Sequence, residues 1–305
     1  MKPLSFVIIT YNRAADMLAL AQNISGLHRA TELLQDVIVV NNASTDDYSS
    51  VENYIKNNDQ LPFQFINAPE NLGVTRGRNF ALQFAKGGII IFLDDDAELQ
   101  NNDALEQVIH AMQRPGIDGR QVVIVSFKVL YYDTLQMQRN ALPHKNFDAY
   151  QNKNFFFTYY FAGGAHAIQR EILQQVGNLP DTFFYGMEEY DVSYRMLDRG
   201  GCIAYDSSIV MLHKESPLGR KPKSDKQRMM WVNKSIVAYT YLPKKYFYST
   251  AVMWSIEYIR KVGFDIGGWI KGWRQVFNIP QAHKRQPLQQ STLQYLKDVE
   301  ARLWY

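Results

Sequence analysis

Short apolar runs alternate with segments of helical spacing through residues 4–93. Residues 4–10 (Leu-Ser-Phe-Val-Ile-Ile-Thr), 36–41, 63–66 and 89–93 are rich in Val, Ile and Phe, and the last is entered by Gly87-Gly88. Runs of this length suit strands covered on both faces, as in a parallel sheet. Between them the run Asp16-Met17-Leu18-Ala19-Leu20-Ala21 leads to Ile24 and Leu27 at helical spacing, and Val51, Tyr54 and Ile55 follow, then Phe80, Ala81, Phe84 and Ala85. The alternation predicts βαβ units and an α/β sheet that is mostly parallel.

Such sheets bind ligands beyond the carboxyl ends of their strands, so the residues after each run carry information about chemistry. The first run is followed by Thr10-Tyr11-Asn12-Arg13, the second by Asn41-Asn42-Ala43-Ser44-Thr45-Asp46, and the fourth by Asp94-Asp95-Asp96. No GxGxxG follows a run and no GxxxxGK[ST] occurs, which argues against a dinucleotide-binding dehydrogenase and a P-loop kinase. Consecutive aspartates at a strand end repel one another unless a cation sits among them. Hard oxygen ligands select Mg²⁺ or Mn²⁺, metals commonly shared with substrate phosphates. The competing reading is a solvated turn that caps the next helix.

Composition adds an asymmetry. The chain has 305 residues, 46% hydrophobic and 21% charged, as expected of a globular protein with a sizeable core. Its single cysteine, Cys202, excludes an internal disulfide and a thiolate zinc cage. Residues 1–219 hold 17 Lys/Arg against 25 Asp/Glu, whereas residues 220–305 hold 16 against 5 and all five tryptophans. The shift places a boundary near Pro217-Leu218-Gly219-Arg220-Lys221-Pro222. The apolar opening is too short for a secretory signal, and the longest uncharged stretch, residues 154–169, is too short and polar to span a bilayer. A cytoplasmic protein is expected.

Past the boundary, residues 225–305 read mainly as helices, with Trp231, Ser235, Ala238 and Leu242 in a four-residue rhythm before Pro243. Lys244, Lys245, Arg260, Lys261, Lys271 and Arg274 are interspersed with tryptophans. Basic, Trp-bearing helices suit an anionic membrane surface, with the Trp rings at headgroup depth and the enzyme peripheral at the inner face. They equally suit a helical subdomain packed on the sheet or on a second subunit, which leaves an oligomer open. Nothing in the aspartate-bearing half supports a nucleic-acid partner.

An ordered series of segments across residues 4–215 resembles the family 2 glycosyltransferases with the GT-A fold. Phe6-Val7-Ile8-Ile9-Thr10-Tyr11-Asn12-Arg13 is similar to the family's opening strand and nucleotide loop, and Val39-Val40-Asn41-Asn42-Ala43-Ser44-Thr45-Asp46 to its second strand and turn. Asn71-Leu72-Gly73-Val74 through Arg78-Asn79 resembles the Gly…Arg-Asn helix start, and Phe92-Leu93-Asp94-Asp95-Asp96 stands where the DxD motif belongs. Phe161-Ala162-Gly163-Gly164-Ala165 resembles the loop before the acceptor side. Phe183-Phe184-Tyr185-Gly186-Met187-Glu188-Glu189-Tyr190-Asp191 resembles the acidic catalytic motif, and His213-Lys214 the late metal-binding histidine.

The resemblance implies a GT-A domain over residues 1–219, with a donor half at about 1–98 and an acceptor half at about 99–219, followed by a helical extension over 220–305. It implies an inverting transferase that takes a nucleotide-diphosphate sugar and a divalent metal, Mn²⁺ or Mg²⁺. The acceptor would be a glycan or a lipid-linked molecule, as in cell-surface polysaccharide or glycolipid synthesis. Thr10, Tyr11, Asn12, Arg13, Asn42, Arg78, Asp94 and Asp95 would bind the donor. Tyr11 would lie on the base, Arg13 and Arg78 would face its phosphates, and Asp94 would accept from the ribose. Asp96 and His213 would hold the metal, and Gly163, Gly164 and Glu188 would lie on the acceptor side. Glu189 would be the general base, with Asp191 as the fallback, against the plainer reading of helix N-terminal capping. Where family members often carry an Asp that reads uracil, this chain has Asn42, whose amide suits uracil, thymine or guanine. Two other functions compete: a nucleotidyltransferase of similar layout, for which the Gly-free loop at Tyr11-Asn12-Arg13 is a poor triphosphate cradle, and a non-catalytic sugar-nucleotide-binding module.

Overall fold

The computed structural model describes residues 2–215 and 223–304, so the expected boundary loop lies outside the described residues. The first half alternates as its pattern predicts. Strands β1 (Leu4–Thr10), β2 (Leu34–Asn41), β3 (Phe63–Asn67) and β4 (Ile89–Asp94) are linked by helices α1 (Ala14–Ser25), α2 (Ala30–Leu33), α3 (Ser49–Asn57) and α4 (Gly73–Leu82). Phe6, Val7, Ile8, Val37, Ile38, Val39 and Val40 are buried, which is why these strands carry no polar face. β1 pairs in parallel with both β2 and β4, and β2 with β3.

The order β3-β2-β1-β4 sets a switch point between β1 and β4, because the chain steps outward to β3 and returns on the other side of β1. The loops after β1 and β4 therefore diverge and leave a crevice at their carboxyl ends. Beyond β4 the chain forms β5 (Ala97–Leu99), α5 (Ala104–Gln113), β6 (Gln121–Tyr131), α6 (Phe147–Tyr150), β7 (Phe155–Thr158) and β8 (Ala165–Gln169). It continues through α7 (Arg170–Val176), α8 (Glu188–Asp198) and β9 (Gly201–His213). β8 runs antiparallel between β4 and β6, and the long β9 runs parallel to β6. Short β5 pairs antiparallel with the end of β9, Ala97 opposite His213. The sheet is mostly parallel, with its antiparallel pairings beyond β4.

The C-terminal part is helical: α9 (Lys223–Tyr241), α10 (Lys244–Val262), α11 (Ile266–Ala282) and α12 (Gln290–Asp298). Its interior is continuous with that of the sheet, since Trp231, Tyr295 and Leu296 belong to the same buried cluster as Phe6 and Phe92. Tyr295 donates from its hydroxyl to the Thr158 carbonyl at 2.7 Å, and the Gln289 N–H donates to Asp198 at 2.8 Å. The basic surface of this part thus covers an apolar face shared with the first half.

Its tryptophans correct one expectation. Trp231 is fully buried, Trp254, Trp269 and Trp273 pack against the core, and Trp304 alone of the five is largely exposed. A four-residue rhythm led by Trp231 marks the inner face of α9, where an indole buries the most area. Four of the five rings serve the interior.

Candidate active site

Three strand ends and one helix start converge on the crevice. β4 ends at Asp94 and delivers Asp95 and Asp96, and β9 ends at His213 beside them because Ala97 of β5 pairs with it. His213 Nε2 lies 3.3 Å from Asp96 Oδ1, and its Nδ1 lies 3.1 Å from Gln138 Oε1. Asp94, Asp96 and His213 each offer a ligand atom within 4.8 Å of the others. Asp96 is buried, while the Asp94 side chain is 39% exposed and faces the crevice mouth. Two carboxylate oxygens and one imidazole nitrogen are a donor set that fits a divalent ion such as Mn²⁺.

Crowded acids need compensation, and two arginines supply it. Arg13 reaches Asp95 at 2.8 Å and Asp96 at 3.2 Å. Arg78, buried on α4 and lying 5.6 Å over the Phe92 ring, meets Asp94 at 3.1 Å and Glu188 at 3.8 Å. Both were expected to face phosphates. In this structure they are turned onto the carboxylates, where they offset repulsion among the acids. Even so, burial together with the charge of Asp96 outweighs Arg13 and pushes the Asp95 carboxyl up to about 6. At His213, burial would lower the pKa, but the Asp96 hydrogen bond and the neighbouring carboxylates outweigh it and raise the imidazole.

The loop after β1 is fixed by its own side chains. Thr10 Oγ1 and the Tyr48 hydroxyl are 2.6 Å apart, and the same hydroxyl accepts from the Arg13 N–H at 3.1 Å. Asn12 adopts a left-handed backbone (φ 54°) and its side chain accepts from the Thr45 N–H at 2.8 Å. Tyr11 is half-buried, and its N–H donates to Asp95 at 3.3 Å. Asn42 is held by protein partners on both ends of its amide. It is buried, accepts from the Leu72 N–H at 2.9 Å, and donates to Asn71 at 3.1 Å and the Gly73 carbonyl at 3.4 Å. Its amide fixes the loop that opens α4.

Glu188 and Glu189 begin α8 after two left-handed residues, Gly186 (φ 76°) and Met187 (φ 74°). A methionine there is strained, and the turn is held from the C-terminal part: Asn233 of α9 donates to the Tyr185 carbonyl at 3.2 Å and to Gly186 at 2.9 Å. Glu188 is buried and Glu189 half-buried. Burial raises the pKa of both carboxyls; the charge of Glu189 adds to the rise at Glu188, and Arg78 opposes it at each. Lys234, one residue past Asn233, is buried with its ammonium 2.7 Å above the Tyr190 ring, and burial drives its pKa well down against the pull of Glu189.

Gly163 and Gly164 lie between the two acidic groups. A Cβ on Gly163 would collide with the Glu189 carboxylate, and one on Gly164 with the Asp94 carboxylate. Only glycines let this strip pass both. Asp191 stands apart. One oxygen binds Arg195 (2.6 Å) and the other accepts from the Tyr241 hydroxyl (2.8 Å), so it braces α8 against α9. Tyr48, Gln138, Asn233 and Lys234 touch the candidate site, and the sequence did not single them out for it.

The glycosyl transferase family 2 profile matches residues 5–177, more than half of the chain. The chain belongs to glycosyl transferase family 2. That membership makes it a glycosyltransferase and removes the nucleotidyltransferase reading. It is 31% identical over 180 residues to an uncharacterized protein of Haemophilus influenzae, covering 58% of this chain and 92% of that one. It is 25% identical over 224 residues to human polypeptide N-acetylgalactosaminyltransferase 13, covering 66% of this chain and only 39% of that relative. Among solved structures, the mannosyltransferase PcManGT from Pyrobaculum calidifontis, in complex with GDP-Man and Mn²⁺, superposes with a TM-score of 0.62 at 18% identity. The match covers 100% of this chain and 81% of that one, and the fold is the GT-A fold.

Proposed function

We propose that this chain transfers a sugar from a nucleotide-diphosphate donor to a hydroxyl of a glycan or lipid-linked acceptor, with inversion at the sugar carbon. The observation that carries the reading is one glycine strip, Gly163-Gly164, running between the donor group Asp94, Asp96 and His213 and the carboxylate of Glu189. The similar mannosyltransferase, solved in complex with GDP-Man and Mn²⁺, supports a nucleotide sugar and a metal for this fold.

Asp94, Asp96 and His213 would hold the divalent ion. Bound there, it supplies positive charge for the departing diphosphate. Tyr11 stacks on the base and Asp94 accepts from the ribose, roles that the partial exposure of both side chains supports. Glu189 takes the proton of the acceptor hydroxyl as that oxygen attacks. Burial raises the proton affinity of this carboxylate toward neutral pH, where a general base is effective. Arg78, against Glu188 and Asp94, offsets the negative charge on both sides of the strip. The site belongs to an enzyme at the inner face of a membrane, in polysaccharide or glycolipid synthesis; the exposed basic and apolar residues of the C-terminal helices support that place.

A panel of nucleotide sugars, read by thermal stabilisation with and without Mn²⁺ and then by transfer, tests the reading. One donor should stabilise the chain only with metal. A chain that no nucleotide sugar stabilises under any metal condition would contradict it, and binding without transfer or hydrolysis would favour the non-catalytic module.

A further inference from the structure

The largest group of exposed apolar side chains lies on one helical hairpin. Val252 and Ile256 stand one turn apart on α10, Phe264 projects from the connecting turn at 92% exposure, and Ile266, Ile270 and Phe277 follow along α11. These side chains stand away from the face that α10 and α11 pack on α9. On the inner face, the Trp231 indole N–H donates to the Ala251 carbonyl at 3.0 Å, its ring meets Trp273 edge-on at 5.3 Å, and Gly272 leaves no room for a Cβ beneath it. Core demand therefore explains the inner residues and leaves the outer ones unexplained.

Charge says what covers them. Residues 244–277 carry Lys244, Lys245, Arg260, Lys261, Lys271 and Arg274 against only Glu257 and Asp265. Both acids are engaged within the hairpin. Glu257 pairs with Arg260 (3.5 Å) and Lys261 (3.2 Å), and Asp265 accepts from the Tyr258 hydroxyl (2.6 Å) and the Gly268 N–H (2.9 Å). A second copy on this face would set cation against cation, because a two-fold interface apposes a patch to itself. No helix among the described residues is long and apolar enough to cross a membrane, so the hairpin would lie in the interface plane.

We propose that the outer face of the α10–α11 hairpin docks on an anionic lipid bilayer, with Phe264 and its flanking isoleucines entering the headgroup layer and Arg260 and Lys261 meeting lipid phosphates. This deepens the membrane-linked part of the reading above and rests on it for its purpose. It replaces the tryptophans with aliphatic and Phe side chains as the inserted groups.

The test is cosedimentation of the whole chain with vesicles of phosphatidylcholine, with or without phosphatidylglycerol, at low and high salt. Binding should require phosphatidylglycerol and weaken with salt. Phe264→Asp should lower partitioning by at least about tenfold, from loss of one buried aromatic ring. The pair Arg260→Ala/Lys261→Ala should lower it about fivefold per charge. These side chains are exposed, so the variants should keep their melting temperature and their metal-dependent stabilisation by donor. Absence of binding at low salt, binding that Phe264→Asp leaves unchanged, or a dimer that Phe264→Asp dissolves would each overturn the docking surface. Donor stabilisation without vesicle binding would remove this inference alone; vesicle binding without any donor response would remove the proposed donor and metal site and leave the surface standing.

Discussion

Gly164→Ala adds one methyl group beside Asp94, and the structure sets its consequence. The backbone at 164 is not left-handed, so alanine carries no conformational penalty there and only the collision matters. The added Cβ would overlap the Asp94 Cγ and Oδ2 and stand 2.9 Å from Oδ1, so turning the carboxylate about its own bond does not relieve the contact. Asp94 must move as a whole. It then leaves Arg78, 3.1 Å away, and the group it forms with Asp96 and His213. A hydrogen bond to a charged partner contributes about 1.5–3 kcal/mol. Disturbing the support of a metal ligand costs roughly 10–100-fold in metal affinity. Mn²⁺-dependent binding of the nucleotide sugar, measured by titration calorimetry, should therefore weaken by about 10–100-fold, while the ligand-free melting temperature falls by a few degrees from the lost Arg78 contact. Gly163→Ala is the partner experiment. Its methyl group meets Glu189 instead, so turnover should fall with donor affinity near normal. If Gly164→Ala binds donor and Mn²⁺ like the parent chain, Asp94 is not in the donor site and the reasoning fails.

Glu189→Gln preserves shape and removes the proton acceptor, so kcat should drop by about 10²–10⁴-fold with donor affinity retained; unchanged turnover would remove Glu189 from the chemistry. Asp191→Asn should lower the melting temperature, through weaker contacts with Arg195 and Tyr241, and leave kcat close to normal; a kcat loss as large as that of Glu189→Gln would return the base role to Asp191. Asn233→Leu releases the two carbonyls that fix the strained turn, so kcat should fall without loss of donor affinity, and a normal kcat would show that the turn holds itself. His213 is raised above its usual 6.5, so acidification protonates it and opposes metal binding. Mn²⁺ affinity should fall as pH drops through that raised pKa, by up to about tenfold per pH unit below it. His213→Ala should flatten this dependence, and a parent chain with none would exclude His213 as a ligand.

The parts of this molecule that could be read from sequence are those whose cause is local. β1, β2 and β4 are marked by apolar runs, because a strand buried on both faces leaves few polar positions to break the pattern; β3, at the sheet edge and only half-buried, is marked by Phe63, Phe65 and Ile66. The aspartates after β4 are conspicuous since like charges rarely crowd without a cation. The α8 start was legible from its acids and its closing Gly200-Gly201. What escaped depends on distant pairing. β6 and β8 carry ordinary apolar segments whose antiparallel meeting no local pattern encodes. Arg13 and Arg78 look like phosphate ligands, yet they face acids contributed by other elements. Asn42 suggests a base reader, yet its amide is committed to residues 71–73. Asn233 and Lys234 lie on the far side of the composition boundary, and only the packing of α9 against the 185–187 turn makes them part of the site.

Asp94, Asp96 and His213 are the place where donor and metal are expected to meet. Crystals grown with Mn²⁺ and the nucleotide diphosphate of the donor, measured at the manganese absorption edge, locate the ion without reference to activity. A single anomalous peak is expected among Asp94, Asp96 and His213, with the diphosphate on its open side and Glu189 across Gly163-Gly164. A bound nucleotide whose manganese peak lies away from those three side chains would contradict this placement.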